Sequence, residues 1–335
     1  MSHFTVLVIG NDPEKQLAPF QENNMGNCPR EYLAFNDHED EYREEYEKQT
    51  REMIVMEDGS LLSPYADCFK QKRANDPFGG VGFSTSDKFL YPAGTTRREV
   101  PFKELYPTLE AFAKDWHGAE RDAEKGRYGY WENPNKKWDW HSLGGRWTGM
   151  LKLKNGDATP MARLGRPGLM TDAAEVGHAD QARKRDVDWK GMRANAAQKA
   201  SQKYDRAIDM IAGRSFRSWE EIRESSEFKN DIDGARKEYN GQEVVKDLRA
   251  ADLIGFDSGP EQFRVSREQY LERARQKAVA TFAVLMDGKW HERGEMGWWG
   301  VVHDEKDEDE WYRQYAALLD SLPEDTLLSV YDCHI

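Results

Sequence analysis

A short tryptophan-rich stretch constrains the fold of this chain more than any other feature. Residues 131–147 read WENPNKKWDWHSLGGRW and hold four of the eleven tryptophans, a histidine, an arginine and a pair of glycines. Large aromatic side chains fix the shape of a surface by packing, and a glycine pair lets a backbone or a ligand approach closely. Alternating aromatic residues over 126–131 and alternating apolar residues over 147–154 predict two strands, so that the stretch forms a hairpin at the middle of a sheet.

The same stretch contains the candidate ligand-binding residues. An arginine next to two glycines offers a forked donor and backbone amides to a phosphate or carboxylate, and tryptophan rings stack on bases. The predicted site consists of Trp138, Asp139, Trp140, His141, Gly144, Gly145, Arg146 and Trp147. In the alternative interpretation the tryptophans form the core of the sheet and Arg146 makes an internal salt bridge.

Apolar runs rich in β-branched residues predict strands at both ends of the chain. The runs cover residues 4–9, 281–286 and 326–330. The turn signal Asp287-Gly288 makes residues 289–293 the predicted hairpin partner of the second run. If the first and last strands lie side by side, they bring His3 close to Asp332, Cys333 and His334. Between these runs, apolar residues repeat every three or four positions from 188 to 211, which predicts a long helix.

Further helices follow that long one. Ser218 and Ser266 each begin a capping-box pattern, so 161–280 is interpreted as a mostly helical insertion. The order of elements predicts an α+β fold with a ferredoxin-like antiparallel sheet as its core. The insertion divides this core into an N-terminal part, 1–160, with an irregular loop at 58–103, and a C-terminal part, 281–335.

The charge of the chain limits its partners. Its formal net charge is −13, with 33% charged residues, which disfavours binding to a double-stranded nucleic acid backbone because such binding needs clustered positive charge. An acidic surface permits a basic protein partner or mimicry of nucleic acid, and it also serves ordinary solubility. The first ten residues lack a basic segment, and their apolar run is too short for a signal peptide or a membrane span.

Three widely spaced cysteines, Cys28, Cys68 and Cys333, give no disulfide framework and no CxxC pair. This pattern favours a reducing compartment, and the expected location is the cytoplasm. The C-terminal Asp332-Cys333-His334 run, together with His3, contains residue types that bind transition metals. Adjacent residues of a strand point to opposite faces, so only Asp332 and His334 share one. A hydrogen-bonded structural cluster is therefore the preferred interpretation, and no metal or cofactor is predicted.

A second aromatic region, residues 290–299, contains possible acid and base groups. His291, Glu292 and Glu295 would supply such a pair, whereas a solvated hairpin is the alternative. Neither this region nor the first tryptophan-rich stretch carries a recognisable catalytic signature. The sequence thus leaves enzymatic activity open and inclines against it.

Five stretches give the chain a resemblance to a family of uncharacterised proteins of bacteriophages and prophages. They are residues 1–10 (MSHFTVLVIG), 16–20, 138–147 (WDWHSLGGRW), 287–291 with 294–298, and 332–335 (DCHI). A weaker resemblance, in one segment, links the chain to phage-borne proteins with a ferredoxin-like domain. The resemblance implies an accessory gene of a phage and brings no assigned activity.

Two functions remain open after these observations. The first is binding: a phage accessory protein that counters host defence, either by sequestering a nucleotide-like ligand on the tryptophan-rich sheet or by binding a host protein through acidic helical surfaces. The second is a metal-assisted hydrolase acting on a nucleotide or another small molecule. A structural virion protein is disfavoured because the chain has no repeat or coiled-coil pattern.

Overall fold

In the computed structural model of this protein, the described residues are 2–70, 89–155, 162–165, 177–255, 258–297 and 301–335. Their strands are β1 (His3–Ile9), β2 (Ala34–Asp37), β3 (Thr50–Val55), β4 (Leu61–Leu62), β5 (Thr96–Pro101), β6 (Gly129–Glu132), β7 (Trp140–Leu143), β8 (Leu151–Lys152), β9 (Arg163–Leu164), β10 (His178–Arg183), β11 (Ala283–Met286), β12 (Lys289–Glu292), β13 (Glu295–Met296), β14 (Val302–His303) and β15 (Leu327–His334). Their α-helices are α1 (Pro13–Leu17), α2 (Glu39–Lys48), α3 (Phe102–Leu105), α4 (Leu109–His117), α5 (Trp189–Ile211), α6 (Trp219–Arg223), α7 (Ile232–Gly241), α8 (Glu243–Ala250), α9 (Arg267–Lys277) and α10 (Glu308–Ser321).

The chain divides into two compact units. Unit 1 comprises Met1–Cys28 and Asn135–Ile335, and unit 2 comprises Pro29–Pro134. Unit 2 contains one ladder of β4, β3 and β5 and another of β2 and β6. Strand β5 pairs with β3 along its whole length, from Thr50 opposite Pro101 to Val55 opposite Thr96. Part of the loop expected at 58–103 is therefore regular structure, while 71–88 lies outside the described residues.

Unit 1 is built on a large mixed sheet with the strand order β12-β11-β1-β15-β10-β8. Strand β1 runs antiparallel to β15 and parallel to β11. The α+β class is confirmed, but the expectation of a wholly antiparallel sheet is wrong because β1 and β11 are parallel. A ferredoxin-like arrangement is not confirmed. The sequence could not show the parallel pairing of β1 with β11, since apolar runs predict strands without specifying their partners.

The far edge of β15 is shared by two strands. β10 pairs with Leu327–Ser329, whereas β7 pairs with Tyr331–His334, so the sheet forks at Val330. Backbone from Gly144 to Gly149 lies at the fork, where the Gly144 N–H donates to the Val330 carbonyl over 2.8 Å. This fork positions the tryptophan-rich stretch against the last strand of the chain.

Hydrophobic cores cover both faces of this sheet. On one face, Trp311, Tyr315 and Leu319 of α10 pack in the same cluster as Leu7 and Val330 of the sheet. On the other face, Leu17 of α1 and Trp138 pack with residues of β1, β11 and β15. The helical segment has a separate core that includes residues of α5, α6, α7 and α8.

Two expectations from the sequence need correction. The hairpin over 131–147 is wrong, because β6 pairs with β2 in unit 2 whereas β7 pairs with β15 in unit 1. The segment 161–280, expected to be a mostly helical insertion, also contributes a strand, β10, to the central sheet. The sequence of β10 is His-Ala-Asp-Gln-Ala-Arg, whose polar residues hide a buried strand from an analysis of hydropathy.

Candidate functional site

Three neighbouring strands of unit 1 place three rings side by side. His3 on β1 is the register partner of His334 on β15, and His334 is the partner of Trp140 on β7. The rings of Trp140 and His334 are stacked, with centroids 5.1 Å apart and an interplanar angle of 17°. The ring of His3 meets both edge-on, 5.2 Å from Trp140 and 4.9 Å from His334. Trp140 nevertheless remains 44% exposed, so a large part of its surface is open to a ligand.

Each of the two histidines is held by a carboxylate. His3 Nδ1 donates to Oδ1 of Asp332 over 2.8 Å, and His334 Nδ1 donates to Oδ1 of Asp139 over 2.7 Å. The second oxygen of Asp332 accepts the backbone N–H of Arg146 at 2.9 Å. Neither Nε2 atom has a hydrogen-bond partner among the residues that the structure describes. This arrangement fixes both ring orientations and leaves two imidazole nitrogens available.

The glycine pair brings the backbone close to two carboxylates of the protein itself. Gly144 has φ 73° and ψ −68°, and Gly145 has φ 49°, conformations that side chains rarely adopt. A Cβ on Gly144 would overlap the carboxylate of Asp180, and one on Gly145 would overlap Asp332. Because the amides of Gly144 and Arg146 already donate to protein acceptors, they are not free for the anion expected from the sequence.

Asp180 is a buried carboxylate that the sequence analysis missed. Its Oδ1 accepts the Gly149 N–H at 2.6 Å, and its Oδ2 accepts the Thr148 hydroxyl at 3.2 Å. Burial raises the pKa of Asp180 above its usual value of 3.8, against the lowering effect of those two hydrogen bonds. The only signal in the sequence is an Asp-Gln pair between two alanines, in a segment without strand-like alternation.

Arg146 points its charge outward. Its side chain is exposed, and it forms no ion pair and no hydrogen bond with any residue of the described ranges. The internal salt bridge considered for Arg146 is therefore absent from the part of the chain that is described. Its backbone N–H remains bound to Asp332, so the position of the residue does not depend on its side chain.

The remaining predicted residues lie elsewhere. His141 lies in register with Cys333, on the opposite face of the sheet from Trp140 and His334. Its ring meets Trp138 edge-on at 4.5 Å, and its Nε2 lies 3.3 Å from Oε2 of Glu14. Burial lowers the pKa of His141, although the Glu14 carboxylate opposes this effect.

Trp138 and Trp147 take part in packing. The Trp138 indole, 5% exposed, donates to the Leu17 carbonyl at 3.2 Å, and Trp147 packs against the core beneath α10. Of the eight predicted residues, Trp140, Asp139 and Arg146 thus gather with His3 and His334. The other five support the backbone or pack in the two cores.

The terminal cluster and the second aromatic region have structural partners. Asp332 and His334 share one face while Cys333 lies on the other, as expected from strand geometry. No group of three or more His, Cys, Asp or Glu side chains suited to a metal occurs in the described ranges. Glu292 accepts from Lys137 at 2.6 Å and from the Trp290 indole at 2.8 Å, whereas His291 is exposed. Trp298 and Trp299 lie outside the described residues.

Comparisons with known proteins identify no relative. No protein-family model, no curated protein and no solved structure matches this chain. Among the helices that are described, none is long and apolar enough to cross a membrane. The resemblance to phage proteins therefore stays a prediction from the sequence.

Proposed function

We propose that this protein acts by binding, as a bacteriophage accessory protein that sequesters a nucleotide-like ligand and so counters host defence. The ligand would lie on the Trp140 rim, which we define as Trp140, Arg146, His3 and His334. One observation carries the proposal: a half-exposed tryptophan ring, stacked on His334, is linked through His3 and Asp332 to the backbone of an arginine whose side chain pairs with no described residue.

Each member of the Trp140 rim fits one part of such a ligand. The open face of Trp140 stacks on a base, an interaction worth about 1–3 kcal/mol per base. The Arg146 guanidinium would form two parallel bonds to a phosphate, and among the described residues it has no ion pair to break first. The network Arg146–Asp332–His3–Trp140 connects the two groups through the backbone bond at Arg146 and the ring contact at His3.

The net charge of −13 does not exclude an anionic ligand. Charges separated by more than about 8 Å of solvent are largely screened at physiological ionic strength. A local guanidinium therefore decides the interaction at the rim, and the acidic surface elsewhere mainly slows the approach of an anion.

Isothermal titration calorimetry with a panel of linear and cyclic nucleotides tests the proposal. Arg146→Gln should weaken binding at least tenfold and leave the fold intact, because the side chain has no partner among the described residues. Arg206→Gln is the matched control: Arg206 lies on α5, is exposed and has no ion pair with any described residue. A protein that shows no heat with any nucleotide, and no rise in melting temperature at millimolar ligand, would rule out sequestration at this rim.

Hydrolysis of the same ligand is a second candidate, favoured by the two carboxylate-bound histidines. An imidazole oriented through Nδ1 presents Nε2 as a general base. Product analysis after incubation with the panel, with and without a chelator, separates this candidate from binding alone. Turnover abolished by His334→Gln would support it, while intact nucleotides after prolonged incubation would exclude it.

A further inference from the structure

A groove in the helical part of unit 1 has an unusual charge for this chain. It has a volume of about 300 Å³ and lies among α5, α9 and α10. Four cationic side chains line it, with one carboxylate: Lys199, Lys203, Arg273, Lys277 and Glu308. In a protein of net charge −13, such local positive charge has a structural or a functional cause.

Ion pairs account for only part of that charge. Arg273 is neutralised by Asp309, with Nε at 3.0 Å from Oδ1 and Nη2 at 2.8 Å from Oδ2. Lys277 Nζ lies 4.0 Å from Oε1 of Glu308, whose carboxylate also accepts the Tyr312 hydroxyl at 2.6 Å. Lys199 and Lys203 have no ion pair with any described residue.

These two lysines repel each other. They stand four residues apart on α5, on neighbouring turns of one helix face, where like charges lower helix stability. Lys203 is half-buried, so that water screens its charge less than at an open surface. Among the described residues nothing compensates these two cations beside the cavity, and a bound anion would relieve their repulsion.

The other walls of the groove define the size and character of a ligand. Ala200 and Ala274 present small side chains between the helices, and the Tyr270 and Tyr312 rings line the apolar side. A volume of 300 Å³ is at the lower end of pockets that hold small molecules, and it is too small for a folded partner. The groove therefore suits a compact anion with or without a planar group attached.

We propose that the groove among α5, α9 and α10 binds a small polyphosphate through Lys199, Lys203 and Lys277. The free polyphosphate and a nucleoside carrying it share the same chemistry at the lysines. Contact with Tyr270 would favour the nucleoside form. This site is separate from the Trp140 rim and does not depend on the function proposed for it.

Calorimetric titration of the full-length protein with inorganic triphosphate is the direct test. Binding should weaken as salt is raised, and the Lys199→Gln/Lys203→Gln double variant should lose at least tenfold in affinity. Lys190→Gln is the control, because Lys190 is an exposed lysine of the same helix outside the groove lining. Titration with adenosine triphosphate shows whether an attached nucleoside adds affinity.

A second readout separates a ligand site from an accidental cluster. Removing the repulsion should raise the melting temperature of the unliganded double variant at low salt, while triphosphate should raise only that of the wild type. Equal binding by wild type and double variant, or no binding at millimolar triphosphate, would overturn the proposal. So would a clear preference for single-stranded oligonucleotides over triphosphate. Arg146→Gln should bind triphosphate in the groove as the wild type does, so failure at one site is distinguishable from failure at the other.

Discussion

His3 and Asp332 join the two ends of unit 1 through a hydrogen bond of 2.8 Å between His3 Nδ1 and Asp332 Oδ1. Asp332 is 2% exposed, and its other oxygen binds the backbone of Arg146. One buried carboxylate therefore holds the first strand, the last strand and the turn that presents the Trp140 rim.

Asp332→Asn should destabilise the protein by about 2–4 kcal/mol, because an amide accepts through only one of its two polar atoms and leaves a buried donor unpaired. The free energy of unfolding in urea measures this loss. Asp320→Asn, at an exposed aspartate of α10, should change it by less than about 0.5 kcal/mol. If the two variants are equally stable, the carboxylate has no such role.

Gly144→Ala tests the close approach of the glycine pair to Asp180. Its backbone conformation, φ 73° and ψ −68°, lies in a region that L-residues rarely populate and costs one about 1–3 kcal/mol, and overlap with the Asp180 carboxylate adds about 1–3 kcal/mol. Gly213→Ala is the control, since Gly213 has φ 72° and nothing within 4 Å of its Cβ position. We expect Gly144→Ala to lose clearly more unfolding free energy than Gly213→Ala; equal losses would show that only the backbone angle matters.

The sequence predicted the parts of this site that depend on local chemistry. Ser218 and Ser266 form the capping boxes expected of them, each with reciprocal bonds to the residue three positions on. The first and last strands pair along seven residues, from His3 opposite His334 to Ile9 opposite Leu328, which brings His3 to Asp332 as expected. Cap residues and apolar runs specify where a helix starts and where a strand lies within a few residues of the sequence.

Long-range pairing is what the sequence could not specify. Trp131 and Trp138 look like parts of one hairpin, yet β6 finds its partner in β2, nearly one hundred residues upstream. The amide of the buried Gln181 on β10 donates to the Ser329 hydroxyl on β15 at 2.7 Å, and this bond offsets the cost of burying the amide. Polar residues that are satisfied only by distant partners look solvated in a hydropathy pattern, so β10 and Asp180 were missed.

His141 provides a prediction on pH. Burial lowers its pKa below the usual 6.5, so the unfolded chain binds a proton more readily than the folded one as the pH falls. The free energy of unfolding therefore keeps the full contribution of the neutral His141 ring above pH 6.5. It loses this contribution as the pH falls through the lowered pKa. Titration of the ring by nuclear magnetic resonance should give this lowered value.

Glu14→Gln tests the second influence on the pKa of His141, the charge of the Glu14 carboxylate. The Glu14 carboxylate favours the charged imidazole, so its removal should lower the pKa of His141 further. A wild-type value at or above 6.5, or a rise in the Glu14→Gln variant, would contradict the assigned cause.

The three cysteines should differ sharply in reactivity. Cys68 is exposed, whereas Cys28 and Cys333 are buried. Burial, together with the negative charges of Asp332 and Glu14, raises the pKa of the Cys333 thiol well above its ordinary value, and the thiolate is the reactive form. Reaction of the native protein with a disulfide reagent should therefore show one fast thiol, removed by Cys68→Ser, and three thiols in denaturant.

Fast modification of Cys333 in the Cys68→Ser variant would mean that β15 opens readily. The hydrogen bonds that its neighbours Asp332 and His334 make with His3 and Asp139 argue against such opening.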